Sequence, residues 1–221
     1  MNISVVPDIE SLSFGINNDT LYVNTWGVAP PFASTFKKYL FAIDGKNMEI
    51  RWKFEYNGSL APPVIGSDGT IYTVEYNGSI YALSPDGKCK WKYNVLGFSS
   101  AVIGSNDMIY VGGYDSKKLY AFSKDGVLKW SITLGSIYSS PSVDIDGTIY
   151  VSGGEAFYAI SPDGKVKWKV PNVYLSTVAI GSDAVYGVNV KYLYAISKDG
   201  KILWKFKPEG LTPGPVSYTH L

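Results

Sequence analysis

Apolar and polar residues alternate with period two in short bursts along this chain, and the bursts recur in the same order five times. The clearest burst surrounds a tryptophan. Cys89, Trp91 and Tyr93 alternate with Lys90 and Lys92; Leu128, Trp130 and Ile132 enclose Lys129; Val166, Trp168 and Val170 alternate with Lys167 and Lys169; Ile202, Trp204 and Phe206 enclose Lys205. Period two marks an extended strand with one face toward a core. Lysines on the other face discourage further pairing, which places this strand at the rim of its sheet. Upstream lies another apolar run, such as Tyr158–Ile160, joined to the tryptophan strand by Asp86-Gly87, Asp125-Gly126, Asp163-Gly164 or Asp199-Gly200. Asp-Gly between alternating runs is a strong hairpin signal, and in a two-residue turn both positions take positive φ.

A second set of runs carries Leu21-Tyr22, Ile71-Tyr72, Ile109-Tyr110, Ile149-Tyr150 and Val185-Tyr186, each preceded by a polar turn such as Gly66–Thr70. Before those turns stand shorter runs, including Val64-Ile65, Val102-Ile103 and Ala179-Ile180. Each unit therefore predicts four short antiparallel strands, A to D. The tryptophans Trp52, Trp91, Trp130, Trp168 and Trp204 fall 39, 39, 38 and 36 residues apart. Four-stranded units at this period are the signature of propeller blades. The predicted fold is an all-β propeller forming a single domain over 1–221, with blades at about 11–54, 60–93, 99–132, 138–170 and 175–206. Residues 211–221 read as the truncated start of a sixth blade, which makes the chain a fragment of a six- to eight-bladed ring. Residues 2–6 read as a D strand that would complete a blade on ring closure. The first unit carries an insertion at 27–38, and its Asp44-Gly45 turn is lengthened by Lys46–Glu49. An open arc would expose apolar blade faces at both ends, so self-association through those edges is expected.

Composition narrows the partners. Twenty basic and 19 acidic residues give a net charge of +1, so no global field favours nucleic acid or an anionic surface. No stretch approaches the roughly 18 consecutive apolar residues of a membrane span, and no signal peptide is evident at the N-terminus. A single cysteine, Cys89, rules out an internal disulfide and reads as a small core hydrophobe. The only histidine, His220, cannot build a multi-histidine zinc site or a histidine triad. Asp144-Ile145-Asp146-Gly147 has the beginning of a calcium loop but lacks its closing glutamate, and no metal is expected.

The repeats resemble the PQQ-like (pyrroloquinoline quinone enzyme) β-propeller repeat, best seen in Gly147–Lys169, GTIYVSGGEAFYAISPDGKVKWK. The resemblance extends from about residue 11 to 216. It implies that Trp52, Trp91, Trp130, Trp168 and Trp204 dock between neighbouring blades. It also implies a range of functions, because quinoprotein dehydrogenases, a lipoprotein of the outer-membrane barrel-assembly machinery, cell-surface proteins and kinase-attached domains share the blade. Within that range a cell-surface or envelope location is favoured. Family dehydrogenases hold the quinone with calcium, clustered acidic and Asn ligands, a stacking tryptophan and often a vicinal disulfide. One cysteine excludes that disulfide, and no cofactor is expected.

Function is then sought where the copies disagree, in the loops between strands B and C and between blades. These loops present Trp26, Phe32, Phe36, Tyr76, Asn77, Tyr114, Asp115 and Glu155. Exposed aromatics of this kind suit a protein or carbohydrate ligand; for Phe32 and Phe36, folding the insertion back on its blade is an equal alternative. The expected function is a non-catalytic binding or scaffold module of a larger surface protein. The alternatives are a fragment of a quinone-dependent dehydrogenase, or a glycan hydrolase drawing carboxylates from Glu55, Glu75, Asp115 and Glu155.

Overall fold

The strand pairs and turns expected from the repeats form five separate sheets in the computed structural model, which describes residues 11–17, 19–26, 38–58, 60–76, 78–97 and 99–208. Strands β1 to β4 are Ser11–Asn17, Thr20–Trp26, Lys38–Asp44 and Ile50–Tyr56. Strands β5 to β8 are Val64–Ile65, Ile71–Val74, Ser79–Leu83 and Cys89–Asn94, and β9 to β12 are Val102–Ile103, Ile109–Gly112, Lys118–Phe122 and Leu128–Thr133. Strands β13 to β16 are Ser142–Val143, Ile149–Gly153, Ala156–Ile160 and Val166–Pro171; β17 to β20 are Thr177–Ile180, Ala184–Val188, Leu193–Ser197 and Ile202–Phe206. Each sheet runs in chain order with every neighbour antiparallel. This is a β-propeller of five described blades. The expected strand at 2–6 and the start of a sixth blade lie outside the described residues.

The Asp-Gly hairpins have a different geometry from the two-residue turn. Only the glycines take positive φ, +84° at Gly87, +83° at Gly126, +83° at Gly164 and +88° at Gly200, while none of the preceding aspartates does. The ladder shifts register beside each turn, as between Ala82 and Leu83, where Leu83 faces Cys89. A turn with a bulge at its glycine fits both observations. The aspartate instead holds the turn together through its side chain. Ser84 Oγ donates to Asp86 Oδ1, the Lys88 amide donates to Ser84 Oγ, and Ser161 and Ser197 repeat the pattern.

Each regular turn receives the indole of the preceding blade. The Nε1–H groups of Trp52, Trp91, Trp130 and Trp168 donate to the carbonyls of Pro85, Lys124, Pro162 and Lys198, each at 2.8 Å. On its inner side each indole meets a tyrosine of its own second strand, with 5.8 Å between ring centroids for Tyr22–Trp52, Tyr72–Trp91, Tyr110–Trp130 and Tyr150–Trp168. Trp204 keeps the inner partner, Tyr186 at 6.1 Å. No following turn covers it among the described residues, and it is 45% exposed. The buried clusters follow the same logic, since each draws on two adjacent blades: Tyr22 with Leu83, Ile80 with Val111, Leu119 with Ile160, and Phe157 with Val185.

The period-two row on the outer strand is only partly buried. Cys89 is exposed, contrary to its reading as a core residue, and Ile50, Val166 and Ile202 at the same position are 60%, 43% and 45% exposed. This position begins the outermost strand, at the last pair of the ladder beside the turn, where cover is thin; Leu128, at the same place, is partly buried against the core.

The second-strand tyrosines make the fold sensitive to alkali. Burial, then the nearby Asp68 carboxylate, pushes Tyr72 up to about 12; burial, then Asp144, does the same at Tyr150. At Tyr81, burial and a hydrogen bond to Glu75 push the phenol to about 12. A raised folded pKa means the folded state holds the proton more tightly, so this contribution is complete below about pH 10 and is lost as pH rises toward 12. Circular dichroism is expected to show cooperative loss of β signal in that window, accompanied by tyrosinate absorbance at 295 nm. Full tyrosinate absorbance with native ellipticity would contradict the assignment.

A hydroxyl-lined mouth on the variable-loop face

Strand A lies innermost in every blade, and the chain reaches it from the loop that crosses from the blade before. Three residues before the last residue of strand A stand Pro62, Ser100, Ser140 and Thr177, one from each of four successive blades. Their common register brings them together around one cavity of about 160 Å³. Ser99, Ser142, Ser176 and Val178 complete its wall, with Tyr76 and Tyr138 from the loops. Among the ten described residues that line it, six are serine or threonine and none is charged.

Some of these hydroxyls stitch blades together. The Ser100 amide donates to Ser140 Oγ at 3.2 Å and Ser142 Oγ donates to the Val178 carbonyl at 3.3 Å, each across blades, while Ser176 Oγ donates to the Val188 carbonyl at 3.0 Å within its own blade. Ser99 Oγ and Thr177 Oγ1 are buried without a hydrogen-bond partner among the described residues.

Beside the cavity three tyrosines converge. The Tyr114 and Tyr138 rings are 4.2 Å apart between centroids with their hydroxyls hydrogen-bonded, and Tyr174 meets Tyr138 edge-on at 6.3 Å. The bond to Tyr114 raises the Tyr138 phenol above its ordinary value. Tyr138 is 49% exposed, whereas Leu60 and Leu175 at the same register are buried. One residue earlier, Ile137 packs where a Cβ on Gly112 of the preceding blade would lie, at 2.3 Å, whereas Leu175 packs over Gly187 of its own blade at 2.5 Å.

Of the residues expected at this face, Tyr76 lines the cavity and Tyr114 belongs to the aromatic cluster. Asp115 and Glu155 are exposed on their loops and do not line the cavity. Trp26 ends β2 with its backbone opposite Ser11. Its side chain, like Phe32, Phe36 and Asn77, lies outside the described residues. Tyr138, Tyr174 and the paired hydroxyls Ser99-Ser100, Ser139-Ser140 and Ser176-Thr177 were not expected here. Their sequence signal is recurrence: a hydroxyl pair at one register of three successive units.

The described residues of the mouth do not fit a quinone held by calcium, because none of them is a carboxylate, carboxamide or cysteine. Nor do the four candidate carboxylates converge there. Glu75 instead accepts the Gly58 amide at 2.6 Å and the Tyr81 hydroxyl at 3.0 Å, joining the first two blades. No cluster of three or more His, Cys, Asp or Glu side chains suited to a metal ion occurs among the described residues.

Comparison with known proteins agrees with this architecture. BamB from Moraxella catarrhalis superposes with a TM-score of 0.72 at 20% identity, over 88% of this chain and 61% of that one. A streptogramin B lyase superposes with a TM-score of 0.71 at 14% identity, over 93% of this chain and 71% of that one. A europium-containing methanol dehydrogenase superposes at 0.68 and 14% identity, over 90% of this chain and 52% of that one. The chain thus spans about three-fifths of the length of the BamB it matches. No curated protein matches it in sequence. The presence of a lyase among these structures corrects the expectation of a non-catalytic module: this scaffold carries enzymes as well as binding proteins, and blade architecture does not separate the two. At these identities the superpositions establish the fold, a BamB-like propeller. In sequence, residues 36–171, more than half of the chain, match the family described as outer membrane protein assembly factor BamB, and the chain belongs to that family.

Proposed function

We propose that this chain is a protein-docking module of a larger envelope assembly, with the variable-loop face as its docking surface. The observation that carries this reading is the contrast between the two faces. One face repeats the same Asp-Gly turns, each occupied by an indole of the neighbouring blade. The opposite face differs from blade to blade and holds the Tyr114–Tyr138–Tyr174 cluster with Tyr138 half exposed. Tyrosines in a cluster offer large, rigid contact area at small entropic cost and are enriched at the centres of interfaces. The family name speaks of outer membrane protein assembly, which supports a protein partner. On this reading residues 1–221 belong to one propeller domain.

The test is site-specific photo-crosslinking in cells that make this protein. A photoreactive phenylalanine at Tyr138 is expected to give a discrete adduct with another protein, and the same probe at Asp163, on the turn face, is expected to give none. Equal adducts from both positions, or none from Tyr138, would overturn the assignment.

A further inference from the structure

We propose that the cavity beneath Tyr138 is a binding site for a neutral sugar ring. Its lining explains the class. With no charged residue among the described walls, they offer nothing to compensate an ion. Its volume of about 160 Å³ is below the roughly 300–1,000 Å³ of drug-sized sites, so the ligand is of single-ring size.

The unmet hydrogen bonds narrow the class further. Ser99 is 4% exposed, and its Oγ has no partner among the described residues; Thr177 Oγ1, on the same wall, is in the same state. A buried hydroxyl left unpaired is costly, and apolar cargo would leave it so. Each serine or threonine hydroxyl both donates and accepts, and so does each sugar hydroxyl. Ser140 adds a hydroxyl whose oxygen already accepts from the Ser100 amide, leaving its proton to donate. Tyr76 and Tyr138 supply ring faces against which the C–H faces of a pyranose can pack.

This site shares Tyr138 with the docking surface but does not rest on the docking reading. The docking reading concerns the exposed face of Tyr138 and its neighbour Tyr114, whereas the sugar site depends on Ser99 and Thr177 at the wall of the cavity. Failure of one test therefore leaves the other standing.

Saturation-transfer NMR on the whole chain tests it, with the methyl glycosides of glucose, galactose, mannose and N-acetylglucosamine as probes at 10 mM. At least one is expected to receive saturation at its ring protons. Ser99→Ala is expected to weaken that sugar about three- to tenfold, the loss of one or two neutral hydrogen bonds. The melting temperature is expected to stay level or rise, because the substitution removes an unpaired buried hydroxyl. Tyr138→Ala, made separately, is expected to reduce the transfer as well. Acetyl-glycyl-serine amide, run alongside, distinguishes a peptide from a sugar.

No transfer to any of the four glycosides would overturn the proposal. So would transfer only to the peptide, transfer unaffected by both substitutions, or a fall in melting temperature for Ser99→Ala, which would reveal a structural partner for its hydroxyl.

Discussion

Replacing Trp130 by alanine is expected to lower the unfolding free energy by about 3 kcal/mol, the lower end of the range for aromatic-to-alanine changes in cores because this indole is only half buried. The loss has three parts. The indole fills the space between Tyr110 of its own blade and the Asp163-Gly164 turn of the next. Its N–H bonds the Pro162 carbonyl at 2.8 Å, a bond worth on the order of 1 kcal/mol net. The turn glycine then faces a cavity that the rigid hairpin cannot close. Trp204→Ala, by contrast, is expected to cost less than about 1 kcal/mol, since that side chain is 45% exposed and contacts no following blade among the described residues. Urea unfolding followed by circular dichroism distinguishes the two. Similar losses at both positions would mean that the tryptophans act within their own blades rather than between them.

Gly164→Ala is expected to cost about 2–4 kcal/mol, from backbone strain and overpacking together. Its φ of +83° disfavours any Cβ, and a Cβ built there would approach Trp130 Cδ2 to 2.7 Å. The indole cannot retreat without losing its bond to Pro162 or its contact with Tyr110. Gly154→Ala provides the control. That residue also has positive φ, +58°, but the nearest atom to a Cβ is the Leu134 carbonyl oxygen at 3.3 Å. The control should therefore show mainly the backbone part, about 1 kcal/mol. Equal losses at Gly154 and Gly164 would remove the indole from the explanation.

The glycine of each Asp-Gly turn is thus required twice, by its own hairpin and by a tryptophan more than 30 residues earlier. Only the first requirement is readable locally. The alternation around Trp91, Trp130 and Trp168 suffices to place strand D, and Ile149-Tyr150 suffices to place strand B. The tyrosine's partner, and the carbonyl that the indole seeks, appear only when two blades are set side by side. Cys89 illustrates the converse: its place in an apolar row is legible, but its exposure is not, since Leu128 at the same place is partly buried.

The candidate site was legible as a face and not as a set of residues. Variation among the B–C loops pointed to Tyr76 and Tyr114. Tyr138 stayed hidden because its register is filled by the buried Leu60 and Leu175 in sister units. The cavity draws one wall position from each of four blades. No window of sequence contains it, although the recurring hydroxyl pairs mark its register.

The most repeated stretch of this chain is a joint between blades, which leaves recognition to the opposite face. A double-mutant cycle between Trp130→Ala and Gly164→Ala in urea tests that joint most directly. If the indole is seated on the turn glycine, the added methyl should be tolerated better once the indole is gone. The two losses should then fall short of additivity by about 1–2 kcal/mol. Additivity to within about 0.5 kcal/mol would contradict the contact and, with it, the structural role assigned to the repeat.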